Sequence, residues 1–293
     1  MFVGELCCLG AYALRLLLCK PKKQDDNESE GEEVPLSPGA REANKVKLKT
    51  KINPLLLAIP ASFDICGSTL MFIGLTQCAA SIYQMMRGAI VVITAGMAMI
   101  FLKRKQYTHH YVSLAMIVTA VAIVGVAGIS ASDDGKDDKT PTTAVGVGLI
   151  IIAQLFTGGQ FVTEEKLLSG YYLDPLLVVG LEGFWGCVYY SILLPIFQNV
   201  HCETKEDSTG SLCHYNPESG YGPKAGTIED TKEAWTTLTN SPFLIATSLG
   251  IIVSIACFNA TGVAITKYAS APQRSTVDTS RTLLIWVVQM AMG

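Results

Sequence analysis

Long runs of apolar residues, broken at regular intervals by short polar links, dominate this chain. Eight such runs stand out, at about 2–19, 54–77, 79–102, 108–130, 144–168, 174–199, 242–266 and 271–292. An α-helix needs about 20 apolar residues to cross the hydrocarbon core of a bilayer. Within lipid the backbone must satisfy its own hydrogen bonds, which restricts a spanning chain to helices or closed barrels. These runs are too long and too uniformly apolar for barrel strands, which alternate. The pattern predicts an all-α, polytopic transmembrane helix bundle forming one membrane domain.

Several runs carry charge well inside them: Asp64, Arg87, Glu182 and the triplet Arg274, Asp278 and Arg281. A charge at the centre of a membrane helix costs roughly 2.5–3.5 kcal/mol even on a lenient insertion scale. Such charges face a water-filled cavity, a solute or one another, and mark this chain as a candidate transporter rather than an anchor. In the third run Ser81, Gln84, Arg87/Gly88 and Thr94 recur at helical spacing and predict one polar stripe. Two readings stand side by side: a cavity face with Arg87 as an anion contact, or a helix interface with Arg87 neutralised by a neighbouring carboxylate. Arg274, Asp278 and Arg281 share a face, so Asp278 is expected to pair with both arginines and leave one net positive charge.

Asp64 lies beside Gly67 and Ser68, and Glu182 among Gly180, Gly183 and Gly186. Small residues let helices approach closely. A carboxylate packed there is either a proton-coupling group or the ion-pair partner of Arg87 or Arg281. Asn259, mid-run, is a candidate hydrogen-bond donor to a ligand or a neighbouring helix. Glu164-Glu165-Lys166 is expected to be an interfacial helix end with a snorkelling lysine, and Lys267 an end anchor. Glu5 is ambiguous, and His109 and His110 look like surface residues.

The chain is 49% hydrophobic and 16% charged over 293 residues, too apolar for an ordinary soluble domain. Its net charge of −3 matters less than where the charges lie. Lys45, Lys47, Lys49 and Lys51 precede the second run, and Lys103-Arg104-Lys105 follow the third. If every run spans, these basic links fall on one side, which the positive-inside rule makes cytoplasmic. The same parity puts Lys166, Lys267 and Arg274 at cytoplasmic ends, and the acidic stretch Asp133–Asp138 and the long link 200–241 on the lumenal side. Residues 20–53 mix Lys, Asp, Glu, Ser and Pro and predict a disordered cytoplasmic loop. Thr227–Leu238, within the lumenal loop, has helical spacing and predicts a short surface helix.

Six cysteines, Cys7, Cys8, Cys66, Cys78, Cys187 and Cys257, sit in or beside apolar runs as small hydrophobes. Cys202 and Cys213 share the lumenal loop and are a candidate disulfide in an oxidising lumen. No metal site and no cofactor are expected. The sequon Asn27-Glu28-Ser29 faces the cytoplasm and Asn259-Ala260-Thr261 lies in a membrane run, so neither should be glycosylated. The first run lacks the basic start of a cleavable signal. No GxSxG, HExxH, P-loop or dinucleotide glycine pattern occurs, so neither an enzyme nor an ATP-driven pump is expected. Thr76-x-x-Ala79 recurs loosely as Thr266-x-x-Ala269, each ahead of an arginine-bearing run, as inverted repeats would require.

The blocks Asn53-Pro54-Leu55-Leu56, Asp64…Gly67-x-Thr69-Leu70-Met71 and Ser81-x-x-Gln84-Met85-x-Arg87-Gly88-Ala89 resemble solute carrier family 35, subfamily F, in the drug/metabolite transporter superfamily. Glu164-Glu165-Lys166, Glu182-Gly183 and Thr266-Lys267…Arg274…Asp278-x-x-Arg281-Thr282 share that resemblance. It implies ten helices in two inverted five-helix halves with a solute cavity between them. The eight runs would then be the second to ninth helices, with one helix lacking at each end. It further implies alternating-access transport of a small organic solute, such as a nucleotide sugar, across a lysosomal, vacuolar, Golgi-type or mitochondrial membrane. The runs bearing Arg87 and Arg281 would be counterpart cavity helices.

Asp64, Gln84, Arg87, Glu182, Asn259, Arg274, Asp278 and Arg281 are the candidate solute-binding or coupling residues. A small solute, the lipid bilayer, protons and a second copy of the chain are candidate partners, and nucleic acid is not. The competing reading is a non-transporting multi-pass protein that acts through protein–protein contacts.

Overall fold

A computed structural model describes residues 1–18, 52–78, 80–103, 107–133, 144–171, 173–199 and 231–292. The predicted loop 20–53, the acidic link, most of the lumenal loop and the Cys202–Cys213 pair lie outside the described residues, apart from the ends of those segments. The helices are α1 (Phe2–Leu18), α2 (Ala58–Thr76), α3 (Ala80–Met86), α4 (Ala89–Phe101), α5 (Thr108–Asp133) and α6 (Ala144–Gly170). They continue with α7 (Pro175–Asn199), α8 (Thr231–Asn240), α9 (Pro242–Tyr268) and α10 (Ala271–Met292). A 3-10 turn, Pro54–Leu57, leads into α2, its start capped by the Leu55 N–H donating to Asn53 Oδ1 at 3.1 Å. The architecture is a polytopic helical bundle. α8 is the short helix expected in the lumenal link.

The third run holds as one span, Ala80–Phe101, but it tightens at Arg87-Gly88 between α3 and α4. There the Gly88 N–H donates to Met85 O and the Ile90 N–H to Arg87 O, at 3.0 and 3.2 Å, in three-residue steps. The tighter turn shifts the facing of everything beyond it, so the polar stripe splits. Ser81 is exposed, whereas Thr94 is fully buried and packs beside Gly158. All eight runs form helices, and six of them are long and apolar enough to cross a membrane among the described residues. α1 is described over the 17 residues Phe2–Leu18, and the first half of α10 is mostly polar.

α6 is the axis of the bundle. It packs against α2, α3, α4, α9 and α10, and buries residues around much of its circumference. Glycines set the closest approaches. A Cβ at Gly183 of α7 would lie 2.5 Å from the Leu6 nitrogen of α1 and 2.6 Å from Glu5 Cβ, so these two helices meet backbone to backbone. Gly180 and Gly186 extend the seam against Leu9 and Phe2. The contacts also repeat in a crossed way. α1 packs on α7 and α4 on α10, while α1 on α9 matches α7 on α2. This is the contact pattern expected when α1, α2 and α4 exchange with α7, α9 and α10.

Six helix ends gather on one side. Arg15 of α1 pairs with Asp174 at 3.0 Å, and Asp174 caps α7 by accepting from the Leu176 N–H. Lys267 of α9 donates to Leu173 O at 2.8 Å. Trp185 Nε1 and the Tyr189 hydroxyl of α7 donate to Pro54 O and Ala58 O at the start of α2. Lys267 thus anchors α9 to the α6–α7 corner as well as ending its helix. The core under these links is Leu57, Leu168, Leu173, Val178, Val179 and Val263. On the outside, large apolar side chains of α5, α9 and α10 lie exposed, as a lipid-facing surface requires.

Candidate functional site

Charged side chains meet in two places inside the bundle. The first lies where the start of α10 meets α6. Arg274 sits one turn into α10, whose N-terminus is held by two caps. The Ala271 N–H donates to Glu165 Oε2 at 2.8 Å and the Gln273 N–H to Ser270 Oγ at 3.3 Å. The guanidinium pairs with Glu164 of α6, lies over the Phe161 ring with 4.0 Å to its centroid, and touches Thr266 Oγ1 at 3.4 Å. The absence of a side chain at Gly262 leaves it room: a Cβ there would be 3.0 Å from Arg274 Nε. The side chains of Arg274 and Glu164 are 7% and 0% exposed.

Three more carboxylates, each from a different helix, lie within electrostatic reach of Glu164. Glu182 of α7 is within electrostatic reach of Glu164, Glu5, Arg274 and Asp64. Glu5 of α1 is likewise within reach of Asp64 and Glu164. Glu5 accepts a 2.5 Å hydrogen bond from Asn259 Nδ2 of α9, and Asp64 of α2 accepts one from Ser68 Oγ at 3.2 Å. Glu5 and Glu182 are 3% and 5% exposed, and Glu5 Oε2 and Glu182 Oε1 have no hydrogen-bond partner. At a rise of 1.5 Å per residue, Asp64, Glu182 and Asn259 stand about 10–15 Å in from the helix ends that gather on one side. The group therefore lies inside the bundle, beneath those helix ends.

The second place is the tight turn in the third run. Arg87 and Arg281 both face Asp278, at 3.9 and 3.7 Å, and the Arg281 guanidinium lies 4.8 Å from the Phe258 ring centroid. Gln84 Oε1 is buried nearby on α3 without a partner. Asp278 is 11% exposed, whereas Arg87 and Arg281 keep 24% and 39% of their side chains accessible. Two guanidinium groups on one carboxylate leave a net positive charge at the α3/α4–α10 contact.

The geometry overturns several expected pairings. Arg274 does not share Asp278 with Arg281: it turns to Glu164, and Arg87 from another helix takes its place at Asp278. Asp64 and Glu182 pair with neither Arg87 nor Arg281 among the described residues. Glu164, read from the sequence as an interfacial end beside Lys166, is the fully buried partner of Arg274. Glu5, left ambiguous, joins the carboxylate group. The one signal that could have found Glu164 is its offset of one helical turn from Gln160 and Phe161, the face that α6 buries. His109 and His110 are exposed, and no group of residues able to hold a metal ion occurs among the described residues.

A family model described as nucleotide-sugar transporter matches residues 30–177. The chain is 32% identical over its whole length to solute carrier family 35 member F6 of Rattus norvegicus, covering 69% of that protein. It is 37% identical to an uncharacterised protein of Schizosaccharomyces pombe, over 87% of this chain and 71% of the relative. A weaker likeness, 28% identity over 39% of the chain and 32% of the relative, links it to UDP-galactose translocator 1 of Caenorhabditis elegans.

Proposed function

The chain belongs to solute carrier family 35, a family of multi-pass membrane transporters, and on that premise we propose that it moves a small organic solute across an intracellular membrane by alternating access. The observation that carries the reading is the pair of partly accessible arginines, Arg87 and Arg281, that share one carboxylate inside the bundle. Charge within a membrane bundle is kept where it lines a cavity or meets a partner. Here the tight turn presents Arg87 opposite Arg281, with one carboxylate between them and part of each guanidinium accessible. A solute carrying an anionic group would complete that charge balance and draw α3/α4 towards α10. A nucleotide sugar is one such solute, favoured by the family and by the named function of the worm relative. Asp64 and Glu182 balance charge or carry protons as the two halves exchange.

The test is uptake into proteoliposomes by the full-length protein, offered nucleotide sugars, amino acids, short peptides and organic cations, with and without a pH gradient. Uptake of one class that is lost in Arg87→Gln and Asp64→Asn, while both variants stay folded, supports the reading. Uptake unchanged in both variants removes these residues from the mechanism. No uptake of any class by well-folded protein moves the weight to the alternative of a multi-pass protein that acts by binding another protein.

A further inference from the structure

Four carboxylates from α1, α2, α6 and α7, namely Glu5, Asp64, Glu164 and Glu182, lie within electrostatic reach of one another. Among the described side chains, Arg274, committed to Glu164, is the cation that faces them. α9 contributes only the neutral Asn259 at this level, since Lys267 is drawn off to Leu173 O at the helix end. On α6, Glu165 is spent on the Ala271 N–H. More negative than positive charge is therefore left over in a place removed from water. Buried charge of that kind is not sustained; the group takes up a proton instead.

The surplus can be placed on particular residues. Glu164 has its guanidinium, and Asp64 is only half-buried and has the Ser68 hydroxyl. Glu5 and Glu182 are more than nine-tenths buried, and each has an oxygen without a partner. Asn259 donates to Glu5 Oε1 and so leaves Oε2 as the atom to be protonated. Gly183 brings the two acids together by letting the α1 backbone at Glu5 touch the turn that carries Glu182.

We propose that Glu5 and Glu182 form a proton-loading site, each holding one proton as a neutral carboxyl in this conformation. Each takes its proton from water on one side and returns it on the other when the helices separate and water reaches the oxygens. The site deepens the transporter reading by naming the proton as coupling ion and by adding Glu5, which sits on a helix outside the arginine site. For its use in transport it rests on that reading; for its existence it does not.

The experiment is infrared difference spectroscopy of the full-length protein in lipid at neutral pH, in light and heavy water. The expected result is a carbonyl band of protonated carboxyl groups that shifts in heavy water. Part of it should disappear in Glu5→Gln and part in Glu182→Gln, and most of it in the double variant. Absence of the band from the wild type overturns the proposal, as does a band that neither variant reduces. A band that heavy water leaves unmoved shows sealed acids rather than a loading site, and overturns it too. Glu182→Gln decides the assignment where Glu5→Gln does not fold. Absence of the band from a wild type that still takes up solute sinks this inference alone, whereas an intact band without uptake of any solute sinks the transport reading alone.

Discussion

Replacing Arg274 by methionine keeps most of the side-chain volume and removes only the cation. What remains is Glu164, fully buried, with no opposite charge in contact. Removing one partner of a buried ion pair costs about 3–5 kcal/mol, because the surviving charge stays desolvated. The contact with Phe161, centred 4.0 Å away, adds to the loss, since a desolvated cation over an aromatic face contributes about 2 kcal/mol. Arg274→Met is therefore expected to destabilise by about 3–5 kcal/mol, with the cation–ring contact pushing it to the upper end of that range. Glu164→Leu, which strands the arginine, should cost a similar amount. The double variant Glu164→Leu/Arg274→Met strands neither, and apolar replacement of a whole buried pair is often neutral or stabilising. It should lie within about 1–2 kcal/mol of wild type, far from the sum of the single losses. The assay is reversible unfolding of the full-length protein in mixed micelles, followed by circular dichroism across a double-mutant cycle. A single-variant loss below about 1 kcal/mol, the magnitude of an exposed pair, would refute the reasoning. So would a double variant as unstable as the two losses added.

Gly183→Ala forces a methyl into the α1–α7 seam at 2.5–2.7 Å from α1 backbone and Glu5 Cβ, and should destabilise by about 1–3 kcal/mol in the same assay. Gly250→Ala, on α9 with nothing within 4 Å, should be neutral or stabilising by about 0.5–1 kcal/mol and serves as its control. Arg87→Gln and Arg281→Gln each break only a long, partly exposed pair. Each should cost less than about 1 kcal/mol in unfolding while abolishing solute uptake, so that activity and stability separate. Trp185→Phe deletes the hydrogen bond to Pro54 O and should cost about 1 kcal/mol, read as a lower unfolding midpoint.

How much could be foreseen depends on the range of the interaction. The apolar runs, the intramembrane charges and the small residues around Glu182 are local features, and the bundle follows from them. The tight turn at Arg87-Gly88 was marked only by a glycine, which many membrane helices carry without one. Glu164 was masked by its neighbours: with Glu165 and Lys166 beside it, the triplet looks like any polar helix end. Only the packing of α6 against α10 shows that Glu164 points inward while Glu165 caps the next helix.

The sequence by itself therefore determined that this is a helical membrane bundle with unspent charge inside it. Hydrophobic length and helical period are properties of one segment at a time, and lipid leaves a segment of that kind no other structure. Which charge meets which was decided by the tertiary structure alone. Arg274 finds Glu164, and Asp278 is shared by Arg281 and by Arg87 from another helix. The period of a helix states which residues share a face, but not towards which neighbour, or at what depth, that face is turned. The rotation and depth come from packing, above all from the close approach of α1 and α7 over Gly180, Gly183 and Gly186. That approach carries Glu5 to Glu182 and brings four carboxylates within reach of one another.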